Sequence, residues 1–140
     1  MTKLLLLFNL IFFSSTYAQD CKGLSTGTFK IETTFTTFTI ERKNGYQLES
    51  NNEFGVVYLQ RIEPISDCEY NLIRFEVIEF GQLPKPDMHQ IMNTKVTNVV
   101  DSNYYFISHL ISSSINYEGV LEKIDDNVSE KFEQILNNIR

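Results

Sequence analysis

The chain has 140 residues, of which 42% are hydrophobic and 13% aromatic, and its formal net charge is −6. A chain of this length forms one domain that buries roughly two-thirds of its unfolded surface. The acidic balance disfavours nucleic acids and anionic membrane surfaces as partners, and the sequence contains no interdomain linker or internal repeat.

Residues 1–18 have the organisation of an export signal peptide. Lys3 gives a positive start, Leu4–Phe13 is continuously apolar except for one asparagine, and Thr16 and Ala18 occupy the small-residue positions of a cleavage site. This apolar run is too short to span a bilayer, which requires about 20 residues. We therefore expect cleavage after Ala18, export to the periplasm or the extracellular space, and no membrane insertion of the mature chain. A buried N-terminal element and a retained membrane anchor are the alternatives.

The sequence contains two cysteines, Cys21 and Cys68. Cys21 does not fit a lipid-attachment motif, because Asp20 precedes it where a small residue is required and Ala18 stands where an aliphatic residue is required. Two cysteines in an exported chain most often pair, and closing so long a loop would stabilise the fold by about 4 kcal/mol. Free or intermolecular thiols are the main alternative. A metal site would need about four ligands and is not expected.

The residues after the signal peptide are rich in Thr, Ile, Val, Phe and Tyr, a composition that favours strands. Apolar and polar residues alternate around Phe29–Ile31 and again around Phe38–Ile40. The alternation changes phase within residues 33–37, where we expect a bulge or a turn. Asn44-Gly45 predicts a two-residue type I′ hairpin, because both residues accept a positive φ. A further turn is expected around Asn51-Asn52.

Two longer strands are predicted next. Phe54–Ile65 alternates, and Pro64 would end that strand or place it at a sheet edge. Cys68–Phe80 is the strongest strand pattern, and its change of parity near Leu72-Ile73 predicts a bulge that bends the strand around a barrel. A proline-containing irregular stretch follows, and it can accommodate a short helical turn after Asp87. Three more strands are predicted at "NTKVTNVV", "YYFISHLI" and "YEGVLEKI".

Both faces of "YYFISHLI" are apolar, so we expect this strand to be covered on each side. One cover would be the core. The other would be a second layer, the C-terminal helix or a ligand.

The C-terminal segment has the period of an amphipathic helix. Asn127 and Glu130 fit a capping box at its start. We expect residues 125–140 to form a helix packed on a β-domain of residues 19–124, rather than a membrane-bound helix. Its apolar face consists of Val128, Phe132, Ile135, Leu136 and Ile139.

No sequence motif indicates catalysis. The chain lacks a nucleophile elbow, a phosphate-binding loop, a dinucleotide-binding fingerprint and a zinc-protease helix. His89 and His109 are the only histidines and lie on different predicted elements, so we expect no metal site. We predict a protein that is not an enzyme, with no catalytic residue and no cofactor. If it were an enzyme, Glu69, His89 and His109 would be the first residues to examine.

Four short stretches suggest a relationship to other proteins. "CKGLSTGTFKI", "FTIERKNGYQLE", "SDCEYNL" and "EGVLEKI" resemble small exported proteins of Bacteroidota with no assigned activity. In those proteins an early Cys precedes a Thr-Gly-x-Phe strand, an Ile-x-Arg strand follows, and a Cys-Glu-Tyr recurs. The resemblance covers residues 20–124. It implies a single β-meander domain in which Cys21 and Cys68 are positioned to pair, and it implies no catalytic residues.

A looser resemblance concerns Gly27–Phe29. This "GTF" is similar to the Gly-x-Trp that opens lipocalin-like barrels, with Phe in place of Trp. The arginine that packs beside that aromatic ring in such barrels would be Arg42, Arg61 or Arg74. The resemblance implies a barrel that binds a small hydrophobic ligand.

The sequence thus predicts a mainly β protein with seven or eight antiparallel strands, forming a lipocalin-like barrel or a strongly curved sheet, and a C-terminal helix. The first functional expectation is a non-catalytic exported module that binds a small apolar ligand. The alternative is a protein–protein interaction or structural protein of the cell envelope with a filled core. A cavity on the order of 300 Å³ or more would favour the first, and a filled barrel with an exposed apolar patch of several hundred Å² the second.

Overall fold

The computed structural model describes residues 19–84 and 87–139, so the predicted signal peptide lies outside the described residues. Eight antiparallel strands form a closed barrel in which each strand pairs with the next and the last pairs with the first. The predicted mainly β barrel with one C-terminal helix is confirmed. The elements are a 3₁₀ turn at Lys22–Leu24, β1 Gly27–Glu32, β2 Thr37–Lys43, β3 Tyr46–Asn51, β4 Val56–Ser66, β5 Glu69–Glu79, β6 Ile91–Val100, β7 Asn103–Leu110, β8 Asn116–Asp125 and α1 Glu130–Asn137.

The predicted turns follow from local backbone chemistry. Asn44 and Gly45 have φ values of 53° and 79°, as the two-residue turn between β2 and β3 requires. The expected phase change in residues 33–37 corresponds to the turn that joins β1 to β2. Pro64 lies within β4, beyond the last β4 residue that pairs with β3, Arg61. It therefore occupies a position with one strand neighbour, where a missing N–H is tolerated.

The bulge predicted in β5 lies further along the strand than expected. Gln60 pairs with Arg74, but Leu59 pairs with Glu76, so β5 has one extra residue between these two pairs. An extra residue changes the face on which the following side chains lie. The expected position near Leu72-Ile73 is wrong by about two residues because both of those residues are apolar, and their own alternation does not reveal which one turns inward.

The two ends of the barrel differ. The 3₁₀ turn and the Cys21–Cys68 disulfide lie at the end formed by the β2–β3, β4–β5 and β6–β7 turns. The Cα atoms of the two cysteines are 5.3 Å apart, and the bond ties the N-terminal segment to the β4–β5 turn. The longer β1–β2, β3–β4, β5–β6 and β7–β8 connections surround the opposite end.

Phe29 is the centre of the core at the disulfide end. Its ring is fully buried and lies edge-on to Tyr104, with the two ring centres 6.2 Å apart. The Arg42 guanidinium and the Lys123 ammonium lie 5.6 and 5.7 Å from the centre of the Phe29 ring. Among the three arginines considered from the sequence, Arg42 therefore has the position beside this aromatic ring.

The C-terminal helix packs on the outer surface of β3 and β4. Phe132 is fully buried there, in a cluster with Leu48, Val57 and Leu59. The helix begins after Ser129, whose hydroxyl accepts a hydrogen bond of 3.2 Å from the Phe132 N–H. The expectation that Asn127 is the cap is wrong.

Asn127 has a different partner. Its backbone N–H and its side-chain amide both donate to Asp125 Oδ1, at 2.8 and 3.2 Å. These bonds form a turn that places Ser129 at the start of the helix.

The outer face of β7 is not covered as its sequence suggests. Tyr105 and Ile107 lie on that face and are 40% and 37% exposed. The helix covers β3 and β4 instead, because the short connection after β8 leads it over β1 and β2 to that side of the barrel. The described residues include no helix that is long and apolar enough to cross a membrane.

Candidate functional site

The barrel contains an internal cavity of about 620 Å³. It extends from the middle of the barrel to the end opposite the disulfide, where Thr33 and Thr34 of the β1–β2 turn and the exposed Tyr117 line it. Most of the deeper lining is apolar, and its principal residues are Ile31, Phe38, Ile40, Leu72, Met92 and Phe106.

Small residues on β6, β7 and β8 leave this volume open. Thr94 and Ser108 are opposite each other in the sheet, and their hydroxyl oxygens are 2.6 Å apart. Gly119 faces Phe106, and a Cβ atom at position 119 would lie only 2.6 Å from that ring. Glycine at this position therefore allows the Phe106 ring to lie flat against β8 instead of filling the centre of the barrel.

A hydrogen-bonded network closes the inner end of the cavity. Arg42 is 2% exposed, and its guanidinium donates to Gln47 Oε1 at 2.8 Å, to the Tyr70 hydroxyl at 2.6 Å and to the Leu24 carbonyl at 3.3 Å. The Gln47 amide in turn donates to Gln60 Oε1 at 2.7 Å. A buried charge is tolerated when hydrogen bonds satisfy it, and the guanidinium also lies 4.5 Å from the centre of the Tyr70 ring.

Glu49 lies above this network and also lines the cavity. Its cross-strand neighbours are Ile40 on β2 and Tyr58 on β4. Burial among these groups raises the pKa of the Glu49 carboxyl, and the charge of Arg74 opposes that shift to a smaller degree. Among the described residues, no side chain or backbone group donates a hydrogen bond to this carboxyl.

Arg74 lies near Glu49 but does not line the cavity; it borders a separate small pocket on β5 together with Gln60 and Leu72. Its guanidinium is 4.9 Å from the centre of the Tyr58 ring and donates to the Asp87 carbonyl at 3.3 Å. Its Nε is buried and has no hydrogen-bond partner among the described residues.

The residues considered from the sequence as an enzyme's first candidates do not meet in the cavity. Glu69 accepts a hydrogen bond of 3.2 Å from Asn93, His89 is exposed in the β5–β6 connection, and His109 is half-buried on β7. None of the three lines the cavity. No group of three or more His, Cys, Asp or Glu side chains in the described part of the chain could bind a metal ion.

Sequence reasoning missed Glu49 and the inward position of Arg74. The alternation in "YQLES" places Gln47 and Glu49 on one face of β3 and Leu48 on the other, and a polar face is normally taken to face solvent. Here the helix covers the Leu48 face, so the polar face points inward. The one available signal was the amphipathic C-terminal helix, which needs an apolar outer surface to pack against.

In comparisons with known proteins, no family model matches this chain, and no curated protein or solved structure matches it. The resemblance to small exported Bacteroidota proteins therefore stays a prediction based on the motifs in the sequence.

The half-buried carboxyl of Glu49 makes a testable contribution to stability. Because the pKa of Glu49 is raised above its ordinary 4.5, the folded protein binds this proton more tightly than the unfolded chain does. The resulting stabilisation is present below pH 4.5 and is lost as the pH rises through the folded-state pKa. The free energy of unfolding of Glu49→Gln, measured with urea, should match that of the wild type below that pH and exceed it by about 0.5–2 kcal/mol near neutrality.

Glu118→Gln is the matched control, because Glu118 lines the mouth of the cavity and is exposed. Its unfolding midpoint near neutral pH should be close to that of the wild type, because the side chain is exposed. A Glu49→Gln protein that is less stable than the wild type at neutral pH would contradict the assignment, because it would mean that the attraction of Arg74 outweighs the effect of burial.

Proposed function

We propose that this protein is an exported, non-catalytic binding protein that takes a small, largely apolar ligand into its barrel. The observation that supports this function best is the cavity of about 620 Å³. Sites for small molecules are typically about 300–1,000 Å³, with mostly apolar walls and a few polar groups that orient the ligand. The interior of this barrel has that composition.

Two features support export. The Cys21–Cys68 disulfide is of the kind that persists in oxidising compartments. Residues 1–18 have the charge, apolar run and small residues of a signal peptide. We place the mature protein in the periplasm or the extracellular space, with a small molecule rather than a nucleic acid as its partner.

The first test is native mass spectrometry of the protein purified from an exporting host, followed by the same sample denatured without reducing agent. The denatured mass should show cleavage after Ala18 and the loss of two hydrogens through the disulfide. Additional mass that appears only in the native spectrum would identify the class of ligand.

The cavity can also be blocked. Leu72→Trp should place a bulky ring inside the barrel and weaken binding of the neutral fluorescent probe N-phenyl-1-naphthylamine by at least about tenfold. Ile107→Trp, on the exposed outer face of β7, is the matched control and should bind the probe like the wild type. Equal binding by the wild type and both variants would mean that the probe does not bind inside the barrel.

A second candidate function has one observation in its favour. Among the described residues, exposed apolar side chains occur on three of the four connections around the open end, and Phe35 is the most exposed at 87%. The other exposed ones described there are Phe80, Leu83, Ile111 and Ile115. Such side chains are typical of protein–protein contacts when they form one patch. A bare native mass together with no probe binding would favour this function.

A further inference from the structure

The polar groups inside the barrel are not equally satisfied. Arg42 has three hydrogen-bond acceptors, and the Thr94 and Ser108 hydroxyls bond to each other. Gln47 and Gln60 are joined by a hydrogen bond as well. Glu49 differs, because its carboxyl lines the cavity and receives no hydrogen bond from the described residues. Glu49 is half-buried, and a partly desolvated carboxylate without a hydrogen-bond donor carries a free-energy cost that a bound cation would reduce.

The nearest cation does not remove that cost. Arg74 attracts Glu49, but no ion pair within 4 Å joins the two among the described residues. The guanidinium contacts Tyr58 and the Asp87 carbonyl, and its unpartnered Nε is buried away from the cavity, whose lining does not include Arg74. Glu49 therefore keeps free acceptor oxygens on the side that faces the cavity.

The surroundings of Glu49 define the shape of a ligand. Apolar side chains line the same cavity as the carboxyl, including Phe38 at the start of β2, next to the β1–β2 turn, and Phe106 on β7. At the inner end, the guanidinium of Arg42 already donates three hydrogen bonds, so it is a poor receptor for a ligand's carboxylate. The protein's net charge of −6 also favours the approach of cations over anions.

We infer that the ligand is a cationic amphiphile, with a protonated amine that donates hydrogen bonds to Glu49 and an apolar body that lies against Phe38, Phe106 and the neighbouring walls. This inference rests on the proposed binding function and specifies its ligand class. A charge-assisted hydrogen bond is stronger than a neutral one, so the amine is bound more tightly than an alcohol of equal length.

The test compares dodecylamine, dodecanol and dodecanoate as competitors of N-phenyl-1-naphthylamine, at concentrations below micelle formation. The wild type should bind dodecylamine at least about tenfold more tightly than dodecanol, and dodecanoate more weakly than either. Glu49→Gln should lose that preference, with its affinity for dodecanol changed by less than about twofold. Glu118→Gln, which removes an exposed carboxylate at the mouth, should keep the wild-type preference.

The outcomes separate the two proposals. Binding of the probe and dodecanol without a preference for the amine would overturn the role of Glu49 and leave the binding function in place. An unchanged preference in Glu49→Gln, or a preference for dodecanoate in the wild type, would do the same. If the wild type bound neither the probe nor any competitor, the binding function itself would fail and this inference with it. The wild-type series needs no variant, so it remains decisive even if Glu49→Gln were poorly folded.

Discussion

Replacing both Cys21 and Cys68 with serine is expected to lower the free energy of unfolding by about 4 kcal/mol. The disulfide links residues 47 positions apart, and its removal increases the conformational entropy of the unfolded chain by opening this loop. It also releases the segment that positions Leu24, which is buried against the core and whose carbonyl accepts a hydrogen bond from Arg42. Small domains are stable by only about 5–15 kcal/mol, so the loss would be a large fraction of the total.

Urea denaturation at neutral pH measures this difference. The wild type treated with a reducing agent is the internal control, and its unfolding midpoint should fall to that of the double-serine variant. The same reagent should leave the variant unchanged. If oxidised and reduced wild-type protein unfolded at the same urea concentration, the bond would contribute nothing to stability, and the N-terminal segment would be fixed by its other contacts alone.

The parts of the fold that sequence reasoning predicted depend on short-range chemistry. Asn44-Gly45 forms its turn because both residues accept a positive φ, and this preference does not depend on the rest of the chain. The C-terminal helix follows from the spacing of its apolar side chains, including Phe132, which the structure buries completely. The barrel could be predicted as a class because alternation, composition and turn spacing agree with one another.

The parts that sequence reasoning missed depend on which element covers which surface. The sequence predicted that Tyr105 and Ile107 lie on a covered face of β7. They are exposed, because the helix lies on the other side of the barrel. Arg74 lies on the inward face that it shares with Leu72, because the bulge in β5 comes after Arg74 and not before it, where the sequence had suggested it. The same limit applies to the site. Glu49 points inward because the C-terminal helix covers Leu48 on the opposite face of β3, and this contact joins residues far apart in the sequence.

The contact between Leu48 and the C-terminal helix therefore links the helix to the site. On β3, Leu48 points outward beneath the helix, and Gln47 and Glu49 on either side of it point into the barrel. A strand has two faces, so the burial of Leu48 under Phe132 stabilises the orientation in which Glu49 reaches the cavity.

Phe132→Ala is accordingly expected to lower the free energy of unfolding by about 3–5 kcal/mol, because it removes a fully buried ring and leaves a cavity between the helix and the sheet. Gln134→Ala, on the exposed side of the same helix, should change the stability by no more than about 0.5 kcal/mol. Urea unfolding measures both, and equal midpoints for the two variants would contradict the packing of the helix on β3 and β4.

Where Phe132→Ala remains folded, its preference for dodecylamine over dodecanol should weaken as well. Because the substituted residue lies outside the barrel and does not line the cavity, that effect would have to pass through the orientation of β3.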